Sequence, residues 1–515
     1  MSSQVDRRNF LRVGGALSIL GAAAPFAVQL AAVGSASGQS VPDYKALVCI
    51  FLFGGMDGNN AVIATDTDSW TRYFAARNTG DDPIALMPVG TAPTPVGQVS
   101  SVTGRTATLR TPEAWGGVLP IVPNTPNPVP AGTNATTRAF GLHPFLGPLQ
   151  TVFDAGRLAV VANVGTLVRP TTKAQYQARS VALPRNLFSH NDQQSTWQSG
   201  ATEGAKIGWG GRLGDMLASM NGTNTLFTAI STAGNAVFLS GNNIIQYQMT
   251  TATAPAVVVN GAVAGTLFGS SVGPARLRET IQDQSLNSLF AGDYASVVTR
   301  SLNAATSINT AFAAAPASTL PAPPTYTNRI TGQIETNSLA LQLRTVARMM
   351  AAAPGFGVRR QVFFVSLGGW DTHDFQNTAQ PNLLAKVADA MAYFDQVTGN
   401  IGGVDMRANV TTFTASDFSR TFTTNGDGTD HAWGGHHFVM GGAVQGKNIY
   451  GQFPTVGVDL GAFRNPDMAG TALVPTTSVD QYSATLGRWF GVSGTDLASI
   501  FPNLSNFSSP YLGFV

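Results

Sequence analysis

The chain has 515 residues, 43% of them hydrophobic and 11% charged, with 30 Lys and Arg set against 28 Asp and Glu. No stretch combines high charge with few apolar residues, so long disorder is excluded. There is no basic excess to attract a phosphate backbone or an anionic lipid surface, and nucleic acid is not an expected partner.

The N-terminus carries "DRRNFLR" (Asp6 to Arg12), followed by an Ala- and Gly-rich apolar run ending in small residues near Gly34, Ser35 and Ala36. Paired Arg7 and Arg8 ahead of an apolar segment read as a twin-arginine export signal over residues 1–36. The run is about long enough to span a bilayer. Its glycines and Pro25 argue against a resident helix. Cleavage near residue 36 is expected, with the twin-arginine translocase as a transient partner and a periplasmic or extracellular product that keeps no membrane span. Losing Arg7, Arg8, Arg12 and Asp6 leaves equal numbers of basic and acidic residues. Cys49, the only cysteine, precludes an internal disulfide, and within "ALVCIFLF" it reads as a buried structural thiol.

Short apolar runs ending in polar motifs follow in order: "KALVCIFLFGGMDGNN" from Lys45, "RLAVVANVG" from Arg157, "QVFFVSLGGWDTH" from Gln361 and "NVTTFTASDFSRT" from Asn409. Continuous rather than alternating apolar character predicts strands covered on both faces, as in a parallel sheet. Between them, helical periodicity places Leu339, Leu343, Val346 and Met350 on one face, and Leu383, Leu384, Val387, Met391 and Phe394 on another. The expected fold is α/β, a doubly wound, mostly parallel sheet between helices over residues 37–515. Inserted segments are expected at about 78–138, rich in turn residues, and at 213–350, a helical cap or side. Ligands of such sheets bind beyond the carboxyl ends of the strands, so Asp57, Asp371 with His373, and Asp417 should converge there.

Five of the six histidines lie in polar motifs. "GGMDGNN" holds Asp57 and Asn60; Asp57 can ligate a metal or cap a helix. "LFSHNDQQSTW" holds Ser189, His190 and Asp192 in a capping-box spacing that also places a hydroxyl in the positive field of a helix N-terminus. "GGWDTH" offers Asp371 and His373, a donor set suited to zinc, manganese or iron ahead of magnesium. "SDFSRT" adds Asp417 and Arg420, whose guanidinium fork can hold an oxyanion or form an ion pair. "DGTDHAWGGHH" supplies Asp430, His431, His436 and His437. "GSSVG" around Ser271 matches a nucleophile pattern but follows a glycine-broken loop instead of a strand, and reads as a chance match.

The ordered set "GGMDGNN", "FSHNDQQSTWQSG", "GWGGRLG", "GGWDTH", "SDFSRT" and "GTDHAWGGHHFVMGGAVQGKNIYG" resembles the twin-arginine-exported domain-of-unknown-function family 1501, grouped with the alkaline phosphatase and sulfatase superfamily. The resemblance implies an alkaline-phosphatase-like fold, two divalent metal ions, zinc or manganese ahead of calcium, and attack on a phosphate or sulfate ester. It implies Ser189 as nucleophile and Asp57, Asp371, His373, Asp417, His431 and His437 as metal ligands. Phe418 follows Asp417 where the superfamily commonly has a histidine, so His431 takes that place from a loop. Arg420 or Asn60 is expected to hold a non-bridging oxygen of the ester. A formylglycine sulfatase is disfavoured, because no Cys or Ser stands in the C/S-x-P-x-R context. The expected function is an exported metal-dependent hydrolase of phosphate or related sulfate and diester substrates. The alternative is an exported binding or assembly protein that retains the fold without catalysis.

Overall fold

The first apolar run forms strand β1 (Lys45–Phe53), buried throughout from Ala46 to Leu52. Its side chains alternate between two separate cores: Ala46, Val48, Ile50 and Leu52 face one, while Leu47, Cys49 and Phe51 face the other. A strand with apolar residues at both parities can be satisfied only between two covered faces. The computed structural model describes residues 43–130, 136–222, 224–252, 259–285, 288–314 and 319–515, so the export signal expected at 1–36 lies outside the described residues. Among the described residues, no helix is long and apolar enough to cross a membrane.

The main sheet continues with β2 (Leu158–Gly165), β3 (Ala229–Ser231), β4 (Tyr247–Gln248), β5 (Arg360–Gly368), β6 (Val410–Ser416), β7 (Gly435–Met440), β8 (Ile449–Tyr450) and β9 (Thr477–Ser478). The order across it is β8-β2-β7-β6-β1-β5-β3-β4, with β9 also pairing β2. All pairs are parallel except the two made by β7, which runs antiparallel to β6 and to β2. The fold is thus mixed α/β with a large, mostly parallel central sheet and flanking helices.

The helices used below are α1 (Thr67–Arg77), α2 (Gly147–Asp154), α3 (His190–Ser199), α4 (Trp209–Met216), α5 (Ser338–Phe356), α6 (Gln376–Thr398) and α7 (Val479–Phe490). Helices α2, α5 and α6 pack on the first core, the last two through the periodic residues the sequence marks, including Leu343, Val346, Val387 and Met391. On the opposite face, α4 and α7 cover the second core with Leu213, Tyr482, Leu486 and Phe490.

The region 78–138 is largely turns, but Leu119–Ile121 pairs with Phe140–Leu142, which also pairs with Val62–Ala64 in a small antiparallel sheet. The region 213–350 supplies β3 and β4 at one edge of the central sheet and α5 on its face. Ser271 lies in an exposed turn before a short helix at Gly273–Ile281, with no strand leading into it.

Candidate metal centre

Strands β1, β5 and β6 are parallel neighbours in register, Phe53 opposite Gly368 and Leu52 opposite Ser416, so their exits share one edge. The exits approach closely because Gly54 has φ +118° and no side chain; a Cβ there would lie 2.4 Å from the Asp371 backbone nitrogen. Gly54 N–H donates to both Asp417 carboxylate oxygens at 3.2 and 3.3 Å. The loops bearing Asp371 and Asp417 are thereby tied to the end of β1.

His431 arrives by a different route. After β6 the chain passes Arg420, turns, and returns antiparallel to itself. Thr421 N–H donates to the Asp430 carbonyl and Ala432 N–H to the Ser419 carbonyl, both at 2.9 Å. This ribbon delivers His431 to the strand ends and then becomes β7, which explains the one antiparallel strand. Phe418 packs its ring 4.6 Å from that of His431 and 4.8 Å from that of His190, forming a wall of the site.

Helix α3 brings the third element. His190 and Gln194 are one turn apart and therefore share a face. His190 Nδ1 and Gln194 Nε2 both donate to Asp417 Oδ2, at 2.6 and 2.8 Å.

Asp371 lies at the centre of these elements. His373 Nε2 and His431 Nε2 lie 3.2 and 3.3 Å from its Oδ1, and His190 Nε2 lies 3.4 Å from its Oδ2. One ligand atom from each of His190, Asp371 and His431 falls within 4.8 Å of the others. Atoms bound tetrahedrally at about 2.0–2.1 Å from an ion stand roughly 3.3 Å apart. The opposite ring nitrogen of every imidazole is engaged: His190 Nδ1 by Asp417, His431 Nδ1 by the Phe188 carbonyl at 2.7 Å, and His373 Nδ1 by Asp430 at 3.1 Å. Ionised carboxylates and carbonyls only accept, so each Nδ1 carries the proton and each Nε2 presents a lone pair.

Two consequences test whether a cation fits. His373 Nε2 and His431 Nε2 face one another at 2.9 Å, where two lone pairs repel unless a proton or a metal cation lies between or beside them. His190 Nε2 is buried and has no hydrogen-bond partner. A divalent ion satisfies both conditions.

The charges are set by the same contacts. The hydrogen bond to Asp417 raises the His190 pKa above its ordinary value, outweighing desolvation. Burial lowers that of His431, with the Phe188 carbonyl opposing. Burial alone would raise the Asp371 carboxyl, but the hydrogen bond and charge of Arg420 leave it below the usual range. Without a cation, that shift favours the imidazolium, whose second proton, on Nε2, faces Asp371 Oδ2.

The residues singled out by sequence divide clearly. Asp371, His373 and His431 come together. Asp417 stands behind His190, its oxygens filled by Gly54, His190 and Gln194, and so orients the His190 ring. Ser189 is the N-cap residue of α3, adjacent to His190, and its hydroxyl donates to Asp192 at 2.9 Å without capping the backbone.

Asp57, Asn60 and His437 are not brought to the cluster. Asp57 is fully buried against Arg77, which reaches both of its carboxylate oxygens; Gln376 Nε2 and Asn59 N–H also donate to it. A guanidinium thus pairs with the carboxylate that the family resemblance implies as a metal ligand. Asn60 accepts from the Tyr73 hydroxyl and donates to the Ile84 carbonyl, so its amide holds α1 to the loop beyond. His437 alternates with His436 along β7. It packs 4.8 Å from Trp197 in the second core, while His436 stacks on Phe453 on the other face, and burial holds both near a pKa of about 3. Arg420 is wholly buried; it donates to Asp371 at 2.8 Å, to the Gly54 carbonyl and to Thr429, which leaves it a positioning group for Asp371 with no donor facing solvent.

His190 is the member of the cluster that the sequence alone did not single out. Its signal was available in the His190–Gln194 spacing at a helix start. Arg77 carried no such signal, because its partner lies 20 residues away on another element.

A family profile described as "Protein of unknown function (DUF1501)" matches residues 44–501 of the chain. No curated protein matches it in sequence. Among solved structures, a sulfatase from Pseudoalteromonas sp. aligns at 8% identity over 90% of this chain and 70% of that one, with a TM-score of 0.29.

Proposed function

This chain belongs to the DUF1501 family, and on that premise we propose that it is a metal-dependent hydrolase of phosphate esters, or of related sulfate esters and diesters, acting at the His190–Asp371–His431 cluster. The observation that carries this reading is the convergence of three Nδ1-anchored imidazoles on one half-exposed carboxylate. The proposed cofactor is a single divalent transition ion held by His190, Asp371, His431 and His373. Three imidazoles with one carboxylate favour zinc or manganese over calcium. One ion replaces the two implied by family resemblance, because Arg77 already neutralises Asp57.

Bound there, such an ion supplies Lewis acidity, lowering the pKa of an attached hydroxyl or water and polarising an ester oxygen. The chain's own residues supply the rest. Ser189 stands at the N-terminus of α3, where the helix field favours an alkoxide and an approaching anion. Asp192, held below its ordinary pKa by that hydroxyl's hydrogen bond, is the ionised acceptor for the Ser189 proton. Asp417, Asp430 and the Phe188 carbonyl keep the imidazoles in one tautomer, and Arg420 fixes Asp371. Ser189→Ala is expected to reduce hydrolysis of aryl phosphates and diesters by at least about a hundredfold while leaving bound metal unchanged. Full turnover in that variant would remove Ser189 from the mechanism.

The substrate is proposed to be met outside the cytoplasm, after passage through the twin-arginine translocase. The support is the Arg7–Arg8 motif with its apolar run. N-terminal sequencing of exported protein should begin near residue 37. An intact N-terminus confined to the cytoplasm would refute this.

A further inference from the structure

A cavity lies apart from the cluster. It has a volume of about 360 Å³ between the loop at Leu183–Arg185, Thr196 in the C-terminal half of α3 with Gly200 just beyond its end, and the start of α7 at Val479 and Asp480. That volume is within the roughly 300–1,000 Å³ of small-molecule sites. None of its lining residues belongs to the histidine cluster, and α3 presents His190 and Gln194 to the cluster from a different face.

Two opposite charges line this cavity. Asp480 is 8% exposed, and although Asn503 donates to its carboxylate, Oδ2 is buried with no hydrogen bond. Burial raises its pKa to about 6, so it is mainly ionised at pH 7 and the missing donor is a real deficit. Arg185 lines the same cavity at its exposed rim, and among the described residues its guanidinium forms no ion pair. The rest of the wall is mostly apolar, with Leu167, Val168, Leu183, Pro184 and Val479.

We propose that this cavity binds a small zwitterion, a free amino acid with an apolar side chain, whose ammonium pairs with Asp480 and whose carboxylate pairs with Arg185. The two charges line one cavity and form no ion pair with each other. A ligand carrying both complementary charges satisfies them together, while a simple amine or a simple carboxylate satisfies only one. The apolar lining then receives the side chain. This site is independent of the hydrolase reading and can stand if that reading fails.

Titration calorimetry on the purified full chain, with L-leucine as probe and n-butylamine and valerate as half-ligands, tests the assignment. Leucine should bind saturably, and each half-ligand at least about tenfold more weakly, since a charge-assisted hydrogen bond is lost. Asp480→Asn and Arg185→Ala should each weaken leucine by about tenfold or more, with His373→Ala binding leucine as the unaltered chain does. Should Asp480→Asn fail to fold, Arg185→Ala, on an exposed side chain, decides the matter alone. Absence of saturable leucine binding, unchanged affinity in Arg185→Ala, or a half-ligand binding as tightly as leucine would overturn the proposal.

Discussion

Purified chain supplied with zinc or manganese is expected to retain about one equivalent of metal, and His431→Ala to lose it. The imidazole of His431 touches both Asp371 and His373, so its removal takes away a ligand and opens the remaining set to water. Asp417→Asn should keep the three imidazoles yet bind metal roughly 10- to 100-fold more weakly, because an amide no longer anchors His190 in the tautomer that exposes Nε2. Elemental analysis and competition with a chelating dye measure both, with circular dichroism to verify folding. Affinity should also fall as pH falls, since protons compete for the same lone pairs. For His190 the competition begins at higher pH than for a free imidazole, because Asp417 raises its pKa. Two bound equivalents would sink the single-ion reading. No transition metal at all, together with no hydrolysis of aryl phosphates, diesters or sulfates, would leave the binding or assembly role as the better account.

Arg77→Ala is expected to be among the most destabilising single substitutions, by about 3–5 kcal/mol. Arg77 and Asp57 are both fully buried, and Arg77 also donates to the carbonyls of Thr421 and Phe422. Removing the guanidinium strands a carboxylate where no water can reach it and leaves two carbonyls without donors. Those carbonyls sit on the segment that turns back to deliver His431, so the variant should also lose metal. Asp57→Leu combined with Arg77→Met should recover much of the stability, because no uncompensated charge remains. Denaturant midpoints for the three variants are the measurement. A single variant as stable as the unaltered chain would show that the pair is not a structural keystone.

Several parts of this arrangement were readable from local pattern. Continuous apolar runs at Lys45–Phe53, Arg360–Gly368 and Val410–Ser416 announced buried parallel strands, and that topology requires their polar exits to share an edge. Asp57, Asp371 with His373, and Asp417 are all expected at that edge on this principle. The histidine-rich stretch from Asp427 to His437 was harder to read. Its residues look equivalent in sequence, yet Gly435–Met440 is a strand, and strand alternation sends His436 and His437 into opposite cores while His431 stays at the surface. Composition alone could not show that change of structure between positions 431 and 435.

Chemistry-bearing residue types, the two-faced strands and the edge on which they end are properties of short stretches of chain, and neighbouring side chains and backbone geometry suffice to set them. Which carboxylate meets a cation depends on partners far away in the chain. Asp57 and Asp371 both follow a strand and a glycine pair, but Arg77 folds against the first, while His190, His373 and His431 surround the second. A buried ionised group takes whichever opposite charge the packing brings within reach. That choice is made only when α1, α3 and the returning ribbon close over the sheet edge, so the place of Asp371 among three imidazoles and the pairing of Asp57 with Arg77 are consequences of tertiary contact.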